Sequence, residues 1–287
     1  MRFGIVGLLP QDPREISKKD LDKIKVLGAT GASFHIPSEI LLDWDNSNST
    51  GVVQLYKDCE LELAQLGVGY NECLFDPNTE VRARVRQKIF KGCAVGRDMK
   101  AEVVLIRTGS LSKTDLYSPT FKNHDSECLK ILIEELSVIA EEAERFEVTV
   151  VIETHNLTIL GTPELNRKVI KQINSKNLKV VMDYVNHFQS WEQVCQSSKR
   201  INFIYDIMGD ISGIAHIKDL IAEDGFVVHL NEAAPGKGIL DLITAIQRWD
   251  SLFPDGYMLV EHLPDEAIPE AARNVHDLAA KAGVQIH

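Results

Sequence analysis

Four stretches in the second half of the chain end on groups that bind cations or move protons. VTVVIETHN ends on Glu153, with His155 and Asn156 just beyond. LKVVMDYVNH ends on Asp183, followed by Asn186 and His187. ISGIAHIKD ends on His216, Lys218 and Asp219, and GYMLVEHL on Glu261 and His262. Each begins as a run of Val, Ile, Leu, Met or Ala that belongs in a dry interior, so the polar end is the anomaly. A lone His or Glu at such a place is ordinarily a hydrogen-bonded structural residue or a helix cap. Three carboxylates brought to one place repel, and protonation or a divalent cation must relieve them. Oxygen ligands with one imidazole suit Mn2+, Zn2+, Co2+ or Mg2+.

Other residues join this set by position. Lys218 shares a side with His216 by the two-residue alternation of a strand, and suits a carboxylate or an anionic substrate oxygen. Arg107, ending VVLIRTG, reads as an anion binder or as an ion pair closing the rim. His155 shares the side of Glu153 and is a candidate substrate contact. In LNEAAPGKG, Gly236 and Gly238 with Lys237 allow close backbone approach to an oxygen, although a plain turn is the simpler reading.

Such groups converge only if their strands stand side by side. Short apolar runs alternate with amphipathic segments along the whole chain. Strands are expected at Arg2–Leu8, Ala32–Ile36, Gly67–Leu74, Glu102–Arg107, Val148–Glu153, Lys179–Asp183, Gly213–Lys218 and Tyr257–Glu261. Helices are expected at Ser17–Leu27, Val52–Leu66, Glu80–Met99, Asp125–Phe146, Pro163–Asn174, Ser190–Asp206, Leu240–Phe253 and Asp265–Ala282. Each strand followed by a helix is the pattern of a single α/β (β/α)8 barrel, here one domain over residues 1–287. An open doubly wound sheet is less suited, because the first strand-to-helix turn, GLLPQDP, lacks GxGxxG. In a barrel the C-terminal strand ends form one rim, and the polar residues named above lie there.

Composition narrows the function classes. Against 31 Lys+Arg stand 42 Asp+Glu, a net charge of −11, which repels nucleic acid and anionic lipid. The one dense basic run, RARVRQK at Arg82–Lys88, has the period of a solvated helix face. No secretion signal and no apolar run long enough for a membrane span is visible, so a cytoplasmic location is expected. The five cysteines form no CxxC pair, and GxxxxGK[ST] is missing.

The motifs VVIETHN, VVMDYVN, HIKDL, PGKGILDL (Pro235–Leu242) and LVEHL resemble, in this order, the xylose-isomerase-like TIM barrels of the sugar phosphate isomerase/epimerase group. The resemblance spans nearly the whole chain. It implies one divalent metal ion held by Glu153, Asp183, His216 and Glu261, with Glu153 and Glu261 also serving as an acid/base pair on opposite faces of the substrate. The metal would polarise a carbonyl, and proton transfer would pass through an enediolate. Many epimerases of the group carry Asp-x-x-His after the sixth strand. Here the string is Asp183-Tyr184-Val185-Asn186-His187, so Asn186 stands in the histidine's place. Asn186 can hydrogen-bond a sugar hydroxyl but cannot shuttle a proton near neutral pH. The implied function is a metal-dependent isomerase or epimerase of a small sugar or polyhydroxy carbonyl compound, with a homo-oligomer expected. An inosose-type dehydratase and a non-catalytic sugar-binding barrel are the alternatives. An endonuclease IV-like nuclease is opposed by the acidic charge.

Overall fold

A computed structural model describes residues 1–115 and 117–287. Eight parallel strands close into a barrel: β1 (Arg2–Val6), β2 (Gly31–Ile36), β3 (Glu62–Val68), β4 (Val103–Arg107), β5 (Val150–Glu153), β6 (Leu178–Met182), β7 (Ser212–His216) and, after a hairpin of β8 (Asp219–Glu223) and β9 (His229–Ala233), β10 (Tyr257–Val260). β1 pairs with both β2 and β10, which closes the ring. The expected (β/α)8 architecture is the one observed.

Side-chain alternation inside this barrel sets the site. Ala64, Val103, Leu105, Val151, Val181, Ile214, Tyr257 and Leu259 form a buried inner cluster. Two residues beyond Leu105, Val151, Val181, Ile214 and Leu259 come Arg107, Glu153, Asp183, His216 and Glu261. A period of two returns each to the inner face, one layer nearer the C-terminal mouth. The apolar layer is therefore the floor on which the polar layer stands.

The outer layer is held by amphipathic helices. Helix Ser126–Phe146 starts at Asp125, whose carboxylate accepts from the Glu127 amide, and buries Leu132, Leu136, Ile139 and Ala143 along one stripe. Truncating one such leucine to alanine costs about 2–5 kcal/mol. The basic run lies on helix Thr79–Asp98, but it is not simply a solvated face. Arg82 and Arg86 reach across to the buried Glu135, at 2.8 and 3.3 Å, and so tie neighbouring helices together.

Five expectations need correction. The third strand is Glu62–Val68 rather than Gly67–Leu74, and the helix before it is Asn46–Asp58 rather than Val52–Leu66. Glu60 adopts a left-handed conformation (φ 54°) that stops this helix, so the apolar residues after it extend instead of coiling. The segment Ser190–Asp206 is broken into Trp191–Cys195 and Ser197–Met208. The first strand ends at Val6, because Gly7 and Leu8 both take positive φ. The β8–β9 hairpin stands where no strand was expected.

Candidate active site

One ligand atom from each of Glu153, Asp183, His216 and Glu261 lies within 4.8 Å of the others, and all four residues are buried. They come from the C-terminal ends of β5, β6, β7 and β10, which are consecutive neighbours in the ring. The structure thus brings together the four residues named from sequence as a ligand set.

The two nitrogens of His216 face different partners. Nε2 lies 2.9 Å from Gln65 Oε1, an acceptor only, so Nε2 carries a proton and donates it there. Nδ1 points into the cluster, 2.8 Å from Glu261 Oε1 and 3.7 Å from Asp183 Oδ2. Burial pushes this imidazole's pKa down, but the charges of Glu261 and Asp183 outweigh it and hold it up at about 9.

Lys218 lies past the last residue of β7, yet its side chain enters the same cluster. Its ammonium is 2.8 Å from Asp183 Oδ2, 2.9 Å from Glu261 Oε1 and 3.4 Å from Glu232 Oε2. Burial disfavours the charge, but these carboxylates raise its pKa well above the usual lysine value. Burial likewise penalises Glu153 and Glu261 as anions. Lys218 with Arg107 for the first, and His216 with Lys218 for the second, nevertheless hold both below the usual carboxylate range.

Glu153 is held from one side. Its Oε2 accepts from the Tyr117 hydroxyl at 2.6 Å and from Arg107 Nε at 3.2 Å. Arg107 also donates to His35 Nε2 at 2.8 Å. That acceptor is neutral, since burial and then the Arg107 charge push its pKa to about 4. Arg107 thus closes the rim as an ion pair.

A divalent cation fits this donor set. Among the described residues, Asp183 Oδ1 and Oδ2, His216 Nδ1 and Glu261 Oε1 are buried without an aligned hydrogen bond. Asp183 Oδ2 and Glu261 Oε1 are met by the Lys218 ammonium at 2.8 and 2.9 Å, but Asp183 Oδ1 has no partner there, and a buried acceptor in that state is costly unless something satisfies it. The Gln65 contact leaves Nδ1 as the nitrogen able to ligate once its proton has gone, the arrangement that orients metal-bound histidines generally.

The remaining sequence candidates divide. Asn186 faces a cavity of about 530 Å3 that is also lined by His155, Trp191, Val228 and Glu232. His155 is held neutral by burial, and its ring meets Tyr117 edge-on at 5.8 Å. His187 turns the other way, fully buried with Nε2 3.2 Å from Thr154 Oγ1, so the one-residue shift removes it from the site. Asp219 takes part only in structure, accepting the amides of Leu220, Gly238 and Leu240. Lys237 is paired with Glu270, and the glycine loop is a turn strapped to Asp219.

Gln65, Tyr117, His35 and Glu232 were not found from sequence. Gln65 faces inward because the β2–β3 register slips by one residue, so that Ala64 and Gln65 both point into the barrel. Tyr117 and Glu232 come from a loop and from the hairpin, where no strand period marks them. His35 sits at an inward position of β2 and was legible by alternation.

The sequence pattern of the family described as xylose isomerase-like TIM barrel matches residues 21–284. No curated protein sequence matches the chain. Among solved structures, 3-keto-D-glucoside 4-epimerase from E. coli superposes with a TM-score of 0.72 at 16% identity, covering 98% of this chain and 99% of that one. A D-tagatose 3-epimerase-like protein gives 0.73 at 19% identity, covering 99% and 98%. A xylose isomerase-like TIM barrel protein from Mycobacterium smegmatis, in complex with magnesium, gives 0.73 at 13% identity, covering 98% and 96%. At these identities the likeness is one of fold.

Proposed function

The chain belongs to the xylose isomerase-like TIM barrel family, and we propose that it is a divalent-metal-dependent isomerase or epimerase of a small sugar or polyhydroxy carbonyl compound. The observation that carries this reading is the buried quartet Glu153, Asp183, His216 and Glu261, with donor atoms mutually within 4.8 Å. The epimerases among the structural neighbours support it.

These four residues would hold the cation, which when bound supplies Lewis-acid polarisation of a substrate carbonyl. The chain's own groups do the rest. Glu153 and Glu261 are ionised at neutral pH, so either is ready to accept the proton on the carbon beside that carbonyl. The same glutamate returning the proton to the neighbouring carbon gives an isomerisation; the partner returning it to the opposite face gives an epimerisation. Tyr117 and Arg107 fix Glu153 through Oε2 and leave Oε1 for the reaction. Lys218 places a fixed positive charge beside the oxygen that becomes negative. Asn186 and His155 are assigned to substrate hydroxyls.

Two measurements test this. Elemental analysis of untreated protein is expected to show near-stoichiometric Mn, Zn, Co or Mg, lost in His216→Ala and Asp183→Asn. In D2O, the metal-loaded protein is expected to place deuterium beside the carbonyl of ketoses in a sugar panel. Glu153→Gln and Glu261→Gln should each lower that exchange by a factor of about 10^2–10^4. Full exchange in both variants overturns the paired-glutamate mechanism.

A further inference from the structure

The cavity beside the quartet has two unlike halves. At its inner end it is polar. Glu232 reaches the Lys218 ammonium, Asn186 follows Asp183 by three residues, and His155 packs on the tyrosine that holds Glu153. Further out, Leu157, Trp191, Leu220, Val228 and Leu230 form an apolar wall from three sides. Leu157 follows β5, Trp191 opens the short helix after β6, and the others belong to the hairpin. Trp191 is 46% and Val228 60% exposed, a large apolar surface left facing an open space.

At about 530 Å3 the space is of the size that takes drug-sized ligands rather than a lone small sugar. Among its described lining residues there is no Lys or Arg, while Glu232 contributes a carboxylate. A phosphate finds no cation among them. The indole of Trp191 and the branched side chains around it suit a ring with an apolar face, and Gln189 and Asn186 suit hydroxyls at its edge. An anionic substrate would have to use the other side of Tyr117, where a polar cavity of about 510 Å3 has Lys113 and Asp115 in its lining.

We infer that the substrate is an uncharged, non-phosphorylated keto-glycoside: a sugar ring that presents a ketone to the quartet and carries a second ring that lies against Trp191, Val228 and Leu230. This rests on the proposed sugar chemistry for the identity of the reacting end, and on the cavity alone for the attached ring.

Trp191 is its own reporter, because the other two tryptophans, Trp44 and Trp249, are buried. Tryptophan emission is followed while Mn2+-supplemented protein is titrated with phenyl β-D-glucopyranoside, methyl β-D-glucopyranoside, D-fructose and D-fructose 6-phosphate. The phenyl glucoside is expected to bind about tenfold more tightly than the methyl one, the worth of a good aromatic contact. Val228→Asp should abolish that preference while metal content stays unchanged. Equal affinity for the two glucosides, binding of neither, or tightest binding of the phosphorylated sugar overturns the inference. A phenyl preference in a protein that holds no metal and exchanges no deuterium keeps the assignment of the cavity and removes the isomerase reading. Metal and exchange without the preference do the reverse.

Discussion

His216 shows how one side chain is made to serve a site. Its Nε2 is committed to Gln65, and its Nδ1 meets two carboxylates. Replacing Gln65 by Leu removes the acceptor and frees the ring to rotate or exchange tautomers. The expected result is a loss of about 10–100-fold in Mn2+ affinity by isothermal titration, with the far-UV circular dichroism unchanged. The proton on Nδ1 gives a second test. The folded pKa, about 9, lies above the ordinary histidine value of 6.5. In metal-free protein the His216⁺–carboxylate interaction therefore contributes fully below pH 6.5, and is lost as pH rises through 9. Thermal melts of chelated protein between pH 6 and 10 should fall across that window, and His216→Gln should flatten the fall. Metal affinity should run the other way, rising with pH, because the cation must displace that proton.

At the scale of elements, what alternation controls was readable and what breaks alternation was not. Glu153, Asp183, His216 and Glu261 occupy inward positions of regular strands, so counting by two from an apolar core residue finds them. Gln65 escaped because a register slip puts two consecutive residues on the inner face. The third strand escaped because LELAQLGV continues the apolar spacing of the preceding helix, and only the left-handed turn at Glu60 separates them. The β8–β9 hairpin escaped although Asp224-Gly225 marks a turn at its tip, because its outer residues are exposed on both faces and no buried period marks the strands. The strap that follows it is testable. A Cβ at Gly238 would lie 2.2 Å from the Leu220 carbonyl oxygen and 2.4 Å from Asp219 Oδ1, so backbone has to move. Gly238→Ala should lower stability by about 1–3 kcal/mol in urea titration. If the mutant melts like the parent, Asp219 is not anchoring the hairpin through this loop.

For the molecule as a whole, the quartet is a concentration of buried charge inside a chain already at −11. Three buried carboxylates with Glu232 beside them are countered by Lys218, Arg107 and, without a metal, the protonated His216, which leaves the cluster anionic by one charge. The barrel tolerates this because the ligands stand on strands paired on both sides, so the repulsion has no soft element to push apart. A cation that binds only the folded state then stabilises the whole barrel by mass action, about 2.7 kcal/mol at a hundredfold excess over its dissociation constant. Chains of 150–250 residues shift by about 2–4 °C per kcal/mol, so saturating Mn2+ is expected to raise the melting temperature by roughly 5 °C, and chelation to reverse it. Asp183→Asn removes one buried charge and one ligand together. Its metal-free form should melt below the parent, because the buried Lys218 and His216 lose a carboxylate that balances them, and the Mn2+-dependent rise should vanish. A variant that still gains the full rise would place the stabilising cation elsewhere on this acidic surface, and the quartet would then owe its burial to Lys218, Arg107 and His216.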